Sequence, residues 1–387
     1  MRILLLGAGL MARGAAFDFL KNPAVTSLVV ADQSQAALDS FRSRFSDSRV
    51  RLVNCDARDV RHVASLMEEA DGAFCAVHYG FNLAFAEVAI ATRTHMVDLG
   101  GNNNVVAAQR ALSTRARQAG ISIIPDCGLA PGMVSILTAW GLRRFEWADT
   151  VRIRVGGLPL VPAEPFRYER LFSVEGLINE YVEPPVLLRN GEIIVGNPLG
   201  DIETVEFDQP VGALEAFNTS GGTSTLPETF RSRLRNLDYK TLRYPGHAAA
   251  MQWLLNLGLF SSGEVVVDGQ EVVPRHLIAD RIVANVPLCR RDRTVVRVEF
   301  AGSQNGKPRF HRLEIIDEYD PGSDLTSMMR MTAFPAAIIA QMQCDGRIGV
   351  KGVIPQEIAV DPDEFVRDLM SRGVKIDGLS SGSNRAS

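Results

Sequence analysis

Over the first 125 residues, short apolar runs alternate with longer stretches whose apolar positions recur at helical spacing. The runs at 1–6, 28–32, 49–53, 72–77, 95–99 and 121–125 predict strands of the kind buried in a parallel sheet covered on both faces. The stretches at 35–45, 60–70, 81–91 and 105–118 predict helices, and another helix opens just beyond residue 9. This alternation predicts a doubly wound parallel sheet, a Rossmann-type α/β domain over 1–125. A helix at 133–144 follows. From Thr150 strands appear without regular helical crossovers, at 151–155, 186–189, 192–195, 204–207, 264–267, 295–300 and 310–316. Asn190-Gly191 between two of them is a hairpin signal, and 126–324 is predicted as a mainly antiparallel α+β domain. Helical spacing returns at 326–342, with Pro335 a candidate kink, and at 363–371. The Gly-, Ser- and Asn-rich stretch 377–387 is predicted to be a disordered tail.

The first strand runs into Gly7-Ala8-Gly9-Leu10-Met11-Ala12, a G-x-G-x-x-A turn of the dinucleotide-binding kind. Gly7 permits the tight turn, Gly9 lets backbone approach a pyrophosphate, and Ala12 lets the new helix pack on the sheet. The N–H groups of that helix, from Leu10 and Met11 onward, face the phosphates. Asp32 closes the second strand, where a carboxylate takes the ribose 2′-hydroxyl of NAD and repels the 2′-phosphate of NADP. Gln33, Ser34 and Gln35 follow it, with no arginine among them, so the expected cofactor is NAD. A turn or helix-capping aspartate is the plainer reading of Asp32. Asp56, beyond the third strand, is placed beside the adenine. Ala76, Val77 and His78, at the carboxyl end of the fourth strand, are placed along the path of the nicotinamide, and Asp98 closes the fifth. His78 reads equally well as a simple turn residue.

Charge narrows the partners. A net charge of −4 leaves no basic footprint for nucleic acid or an anionic membrane. No run approaches membrane-spanning length, and Gly7, Gly9 and Arg13 interrupt the apolar start too early for a signal peptide. Five scattered cysteines without a C-x-x-C pair predict reduced thiols in a cytoplasm. No His/Cys/Asp/Glu spacing predicts a metal site. The 387 residues suffice for two domains.

The sixth strand ends in Asp126-Cys127-Gly128-Leu129-Ala130-Pro131-Gly132, where open α/β sheets bind ligands. This stretch, together with Gly7 to Met11, Gly156-Gly157-Leu158-Pro159, 172–181, Thr219-Ser220-Gly221-Gly222, 240–247 and 352–357, resembles the saccharopine dehydrogenase family and its lysine 6-dehydrogenase-like branch. These stretches span most of the chain in the expected order. Ala130 departs from the Gly-Leu-Asp-Pro-Gly turn common in the family, which removes a carboxylate there. The resemblance implies that 325–376 completes the Rossmann domain, that 126–324 binds substrate and oligomerises, and that the chain forms a homo-oligomer, a dimer or tetramer.

It also implies NAD-dependent oxidative deamination of the ε-amino group of L-lysine. The product is 2-aminoadipate 6-semialdehyde, which cyclises to piperideine-6-carboxylate, with ammonia released. That chemistry needs a base, a placed Cε and an anchor for the amino-acid head. Asp126 is the candidate base or holder of the reacting nitrogen, with a helix-entry turn as the plainer role. Cys127 either faces the nicotinamide or packs, and nothing in the sequence marks it as a nucleophile. Arg243 is the candidate clamp for the substrate carboxylate. Lys240 and His247 share its motif, and Gly128, Thr219 and Ser220 are placed around the substrate. Glu175 and Glu180 are candidates to take an amino group, although helix-surface acids are commoner than ligands. A saccharopine dehydrogenase or reductase, needing further inward arginines (Arg152, Arg154, Arg167 and Arg170 are available), and a carboxynorspermidine-type enzyme are the alternatives. A non-catalytic NAD-binding scaffold or sensor is the reading from another class.

Overall fold

A computed structural model describes residues 1–162 and 164–379. The chain begins with β1 (Arg2–Leu6), α1 (Leu10–Lys21), β2 (Ser27–Asp32), α2 (Gln35–Arg44), β3 (Val50–Asn54), α3 (Val60–Glu68), β4 (Gly72–Cys75), α4 (Asn82–Thr92), β5 (His95–Asp98), α5 (Asn103–Ala111), α6 (Ser113–Ala119), β6 (Ser122–Ile124) and α7 (Met133–Leu142). A second set runs β7 (Trp147–Pro159), α8 (Val174–Val182), β8 (Val186–Arg189), β9 (Glu192–Val195), β10 (Glu203–Glu206), β11 (Ala213–Asn218), α9 (Leu226–Phe230), β12 (Asn236–Arg243) and α10 (His247–Asn256). It continues with β13 (Val265–Val267), β14 (Gln270–Val272), α11 (Pro274–Asn285), β15 (Asp292–Gln304) and β16 (Lys307–Glu318). Then come α12 (Ser327–Cys344), β17 (Gly352–Val353), α13 (Gln356–Ala359) and α14 (Pro362–Ser371). The helix expected at 105–118 is two helices, α5 and α6, meeting at Leu112.

Two compact units result: Met1–Trp140 with Met329–Val374, and Gly141–Met328 with the described residues after Val374. The first is a seven-stranded sheet in the order β17-β6-β5-β4-β1-β2-β3, parallel throughout. Its strands are runs such as Ile3–Leu6 and Leu28–Ala31, buried on both faces. Helix starts follow local chemistry. Ser34 accepts the Ala37 N–H at the start of α2, Asp59 the His62 N–H at α3, and Asp361 the Asp363 and Glu364 N–H groups ahead of Pro362 at α14. The order reverses between β1 and β4, and such a switch point is where open α/β sheets bind their ligands.

The second unit is built on a sheet with the order β10-β11-β12-β7-β15-β16, and β8 and β9 attach at β12. Its pairs are antiparallel except at the centre, where β12 runs parallel to β7. On α8, Val174, Leu177, Ile178 and Tyr181 form the buried stripe that helical spacing produces. In the stretch expected as a tail, Asp377 exchanges two backbone hydrogen bonds with Glu314, while 380–387 lie outside the described residues. Among the described residues no helix is long and apolar enough to cross a membrane.

Candidate functional site

In the first unit the turn after β1 is held from both sides. Gly7 sits at φ +104°, and a Cβ there would stand 2.9 Å from the Ala76 carbonyl oxygen, so neither conformation nor space allows a side chain. Gly9 caps α1 without a side-chain hydrogen bond, and a Cβ added to it would meet nothing within 4 Å. The start of α1, with Leu10 and Met11, therefore opens on a clear space of the kind a pyrophosphate fills. Ala12 is fully buried under the helix. Asp32 accepts the Ala8 N–H (2.8 Å) and the Ser34 N–H (2.8 Å), which ties the end of β2 to the glycine turn. Asp56 is tied to Arg58 (2.7 Å), and that pairing holds its carboxyl below the usual range. Ala76 and Val77 lie half-buried beyond β4, and Val77 lies within 3.3 Å of the Cβ position of Gly7. His78 is exposed, accepts the Gly80 N–H on Nδ1, and packs on the Tyr79 ring. These positions suit a dinucleotide.

Asp98 does something other than face a cofactor. It is fully buried, and Oδ1 accepts the N–H groups of Gly100 (2.9 Å) and Asp126 (3.1 Å). Oδ2 accepts Gln109 Nε2 (2.8 Å), and its main-chain oxygen accepts the Cys127 N–H (2.8 Å). Burial pushes the Asp98 carboxyl up, against the pull of these hydrogen bonds. Its place is behind the turn that carries Asp126. Asp126 itself is buried, stands at φ 60°, and brings Oδ1 to 2.1 Å from where a Cβ on Gly100 would be. Gly128 is buried in the same turn and bridges to Gly132. The Cys127 thiol donates to the Ile124 carbonyl (3.1 Å), and burial raises its pKa well above the usual thiol value. Cys127 is thus a protonated packing group, without thiolate chemistry.

In the second unit the alternation of β12 sorts the candidates onto two faces. Asp238 and Lys240 point one way, and Tyr239, Thr241 and Arg243 the other. Lys240 is engaged by the protein: Nζ donates to the Asp201 carbonyl (2.6 Å) and pairs with Glu203 (3.3 Å). On the same face the buried Arg154 joins Glu203 and Asp238. This is a structural ion network, so Lys240 is not brought to Arg243.

On the opposite face Arg243 is only 3 % exposed. It stacks over Tyr168 (5.1 Å to the ring centre) and donates from Nη1 to the Leu242 carbonyl (3.0 Å), while Nε has no hydrogen-bond partner. Burial works against its charge, and Tyr181, Tyr168 and Glu180 outweigh that and hold its pKa above the usual value. Glu180 Oε2 stands 3.7 Å from Nη2, and burial lifts this carboxyl to about 7 against the pull of Arg243. His247 Nδ1 is 2.9 Å from the Phe166 carbonyl, which can only accept, so Nδ1 carries the proton. Nε2 then accepts the Tyr181 hydroxyl (2.8 Å). Burial, followed by the charge of Arg243, lowers His247 to about 3. His247 is a neutral brace for Tyr181. The Thr219 and Thr241 hydroxyls bond to each other (2.7 Å), and Ser220 bonds through N–H to Glu180 O and through its hydroxyl to Asn179 O. The structure thus gathers Arg243, His247, Thr219 and Ser220 with Tyr168, Tyr181 and Glu180. The two tyrosines escaped sequence reasoning because Tyr181 lies in the apolar stripe of α8 and reads as core, while Tyr168 lies in the irregular segment between β7 and α8 and has no periodicity to mark it. Their hydroxyls beside a strand-end arginine were the available signal.

The chain matches the saccharopine dehydrogenase NADP binding domain over residues 3–124 and the saccharopine dehydrogenase C-terminal domain over 128–374. The chain belongs to the saccharopine dehydrogenase family. Its first 124 residues carry the nucleotide-binding domain of that family. Curated relatives include the mitochondrial alpha-aminoadipic semialdehyde synthases of Bos taurus (22% identical over 271 residues, 67% of this chain and 28% of the relative) and Mus musculus (22% over 316 residues, 78% and 33%). The chain thus spans about a third of the length of these relatives. Among solved structures, an apo saccharopine dehydrogenase (L-Glu forming) from Saccharomyces cerevisiae superposes with a TM-score of 0.79 at 18% identity, covering 98% of this chain and 100% of that one. A homospermidine synthase from Legionella pneumophila in complex with NAD gives 0.67 at 11% identity, covering 100% and 94%. Both establish the fold.

Proposed function

We propose that this family member oxidises the ε-carbon of L-lysine with NAD, releasing ammonia and 2-aminoadipate 6-semialdehyde. The observation that carries the reading is Arg243: a buried guanidinium with an unspent Nε, the donor set that clamps a carboxylate. NAD, when bound, supplies the acceptor for the two electrons and the hydrogen leaving Cε. The residues do the remainder. Asp126, fixed at φ 60° by Asp98 and packed against Gly100, takes the proton from the substrate ammonium so that the nitrogen lone pair can form the C=N bond. Water then adds to the iminium carbon and ammonia leaves, which balances the conversion of amine to aldehyde. Asp32, already hydrogen-bonded at the glycine turn, supports NAD over NADP, because a 2′-phosphate would face its carboxylate.

A longer substrate such as saccharopine, with further carboxylates at its far end, would call for further free arginines. Arg154 is engaged by Glu203 and Asp238 and Arg170 donates to the Val286 carbonyl, while Arg152 and Arg167 are exposed. The test is a 340 nm assay at alkaline pH with L-lysine, saccharopine, ornithine and carboxynorspermidine, each with NAD and with NADP. Turnover of lysine with NAD, stoichiometric ammonia, and loss of at least a hundredfold in kcat for Asp126→Asn are expected. Turnover of saccharopine alone would transfer the function to the saccharopine branch.

A further inference from the structure

We infer that Glu180 and Arg243 act as a pair that reads the α-amino-acid head of the substrate, Arg243 taking the carboxylate and Glu180 the α-ammonium. This rests on the lysine reading above for the ligand used to test it.

The pair has the wrong geometry for a closed salt bridge. At 3.7 Å the Glu180 oxygen is within ionic range of Arg243 Nη2 but beyond hydrogen-bond length. The guanidinium is almost wholly buried, its Nε makes no hydrogen bond, and Nη1 alone is tied to a backbone carbonyl at normal length. Tyr181 cannot complete the site as a donor to Glu180, because its proton is directed to His247 Nε2, and that acceptor is fixed by the bond from Nδ1 to the Phe166 carbonyl. Tyr181 instead turns oxygen lone pairs toward Arg243. Glu180 stands on α8 beside the buried stripe, its side chain 30 % exposed, and its own backbone oxygen is taken by Ser220. Arg243 has a donor to spare and Glu180 an acceptor, and they lie side by side. In an α-amino acid the nitrogen and the carboxyl carbon are about 2.5 Å apart, so the head presents both opposite charges at that spacing. An ammonium beside Glu180 also supplies a second positive charge, which favours the ionised carboxylate.

The experiment is calorimetric titration of the full-length chain and two variants with L-lysine, 6-aminohexanoate (no α-amino group) and cadaverine (no carboxylate). Glu180→Gln is expected to weaken L-lysine at least tenfold and to leave 6-aminohexanoate within twofold. Arg243→Gln is expected to weaken both and to leave cadaverine unchanged. Equal weakening of L-lysine and 6-aminohexanoate by Glu180→Gln would reduce Glu180 to a support for Arg243 and overturn the inference, as would no weakening of either. Glu180→Asp, which keeps the charge, should restore part of the preference for L-lysine over 6-aminohexanoate, and unchanged thermal midpoints show that the variants fold. If ornithine or saccharopine, and not lysine, is the amino acid bound and shows the same dependence on Glu180, the lysine assignment falls and the head reader stands. If lysine is turned over and Glu180→Gln does not discriminate, the function stands and this inference falls.

Discussion

Asp98 shows how a residue that looks like a ligand can be a builder. Its two oxygens and its carbonyl collect the N–H groups of Gly100, Asp126 and Cys127 and the amide of Gln109. An acid followed by two glycines at a strand end is legible as a site feature, but its direction depends on the turn beyond β6, which sequence spacing does not give. Asp98→Ala should leave two buried N–H groups unsatisfied, at about 1–3 kcal/mol each, and release the Asp126 backbone from its left-handed conformation. The expected result is a lower thermal midpoint and a kcat reduced far more than KM is raised. Asp98→Asn should recover most of both. Its oxygen can keep the two backbone donors, and Gln109, whose Oε1 is buried without a partner, can turn its amide to accept from the new NH2. An Asp98→Asn variant as impaired as Asp98→Ala would show that the charge, and not the hydrogen bonding, matters.

At the scale of elements, the parallel strands were legible because burial on both faces leaves nearly unbroken apolar runs. The central strand of the second unit was not, and the reason lies in its residues. β12 reads Asn-Leu-Asp-Tyr-Lys-Thr-Leu-Arg, with charges on one face and hydroxyls and an arginine on the other. Only Arg154 and Glu203, which arrive from distant segments, make the first face buriable. Arg243 was legible from its motif, while its separation from Lys240 follows once the strand and its two-residue period are known. The helix after β12 carries a testable consequence. His247 opens α10, where Glu215 accepts the Gly246 and Ala248 N–H groups, and a positive charge at a helix N-terminus is unfavourable. Its folded pKa of about 3 lies below the unfolded value near 6.5. Above 6.5 neither state binds the proton and stability is unaffected. As pH falls from 6.5 toward 3 the unfolded state alone binds it, and stability drops by up to about 1.4 kcal/mol per pH unit. Urea midpoints between pH 7 and 4 should fall less steeply in His247→Gln than in the parent chain. Parallel slopes would mean that His247 is not the group that titrates.

At the scale of the whole chain, the nucleotide unit is assembled from segments that lie far apart in sequence. Resemblance to the family implied this, whereas periodicity could not, because an apolar helix does not name the sheet it covers. α12 contributes Ala333, Phe334, Ala336, Ala337, Ile338 and Ile339 to the core, and its Gln343 donates to the Met96 and Ser122 carbonyls. β17 continues the sheet past β6 through the Gly352 and Ile354 N–H groups, and Arg372 pairs with the buried Asp18 on α1. Residues 1–140 alone would therefore lose the cover that α12 gives the sheet, leave the edge of β6 unpaired, and take from Asp18 both Gln341 and Arg372. Such a fragment should show no cooperative thermal transition and no quenching of NADH fluorescence. Fusion of residues 329–374 to it through a flexible linker should restore both, since every one of these contacts lies inside the one unit. A fragment 1–140 that melts cooperatively and binds NADH as the full chain does would show that β1 to β6 with α1 to α6 and the first eight residues of α7 are a complete domain, with the returning segment an addition to it.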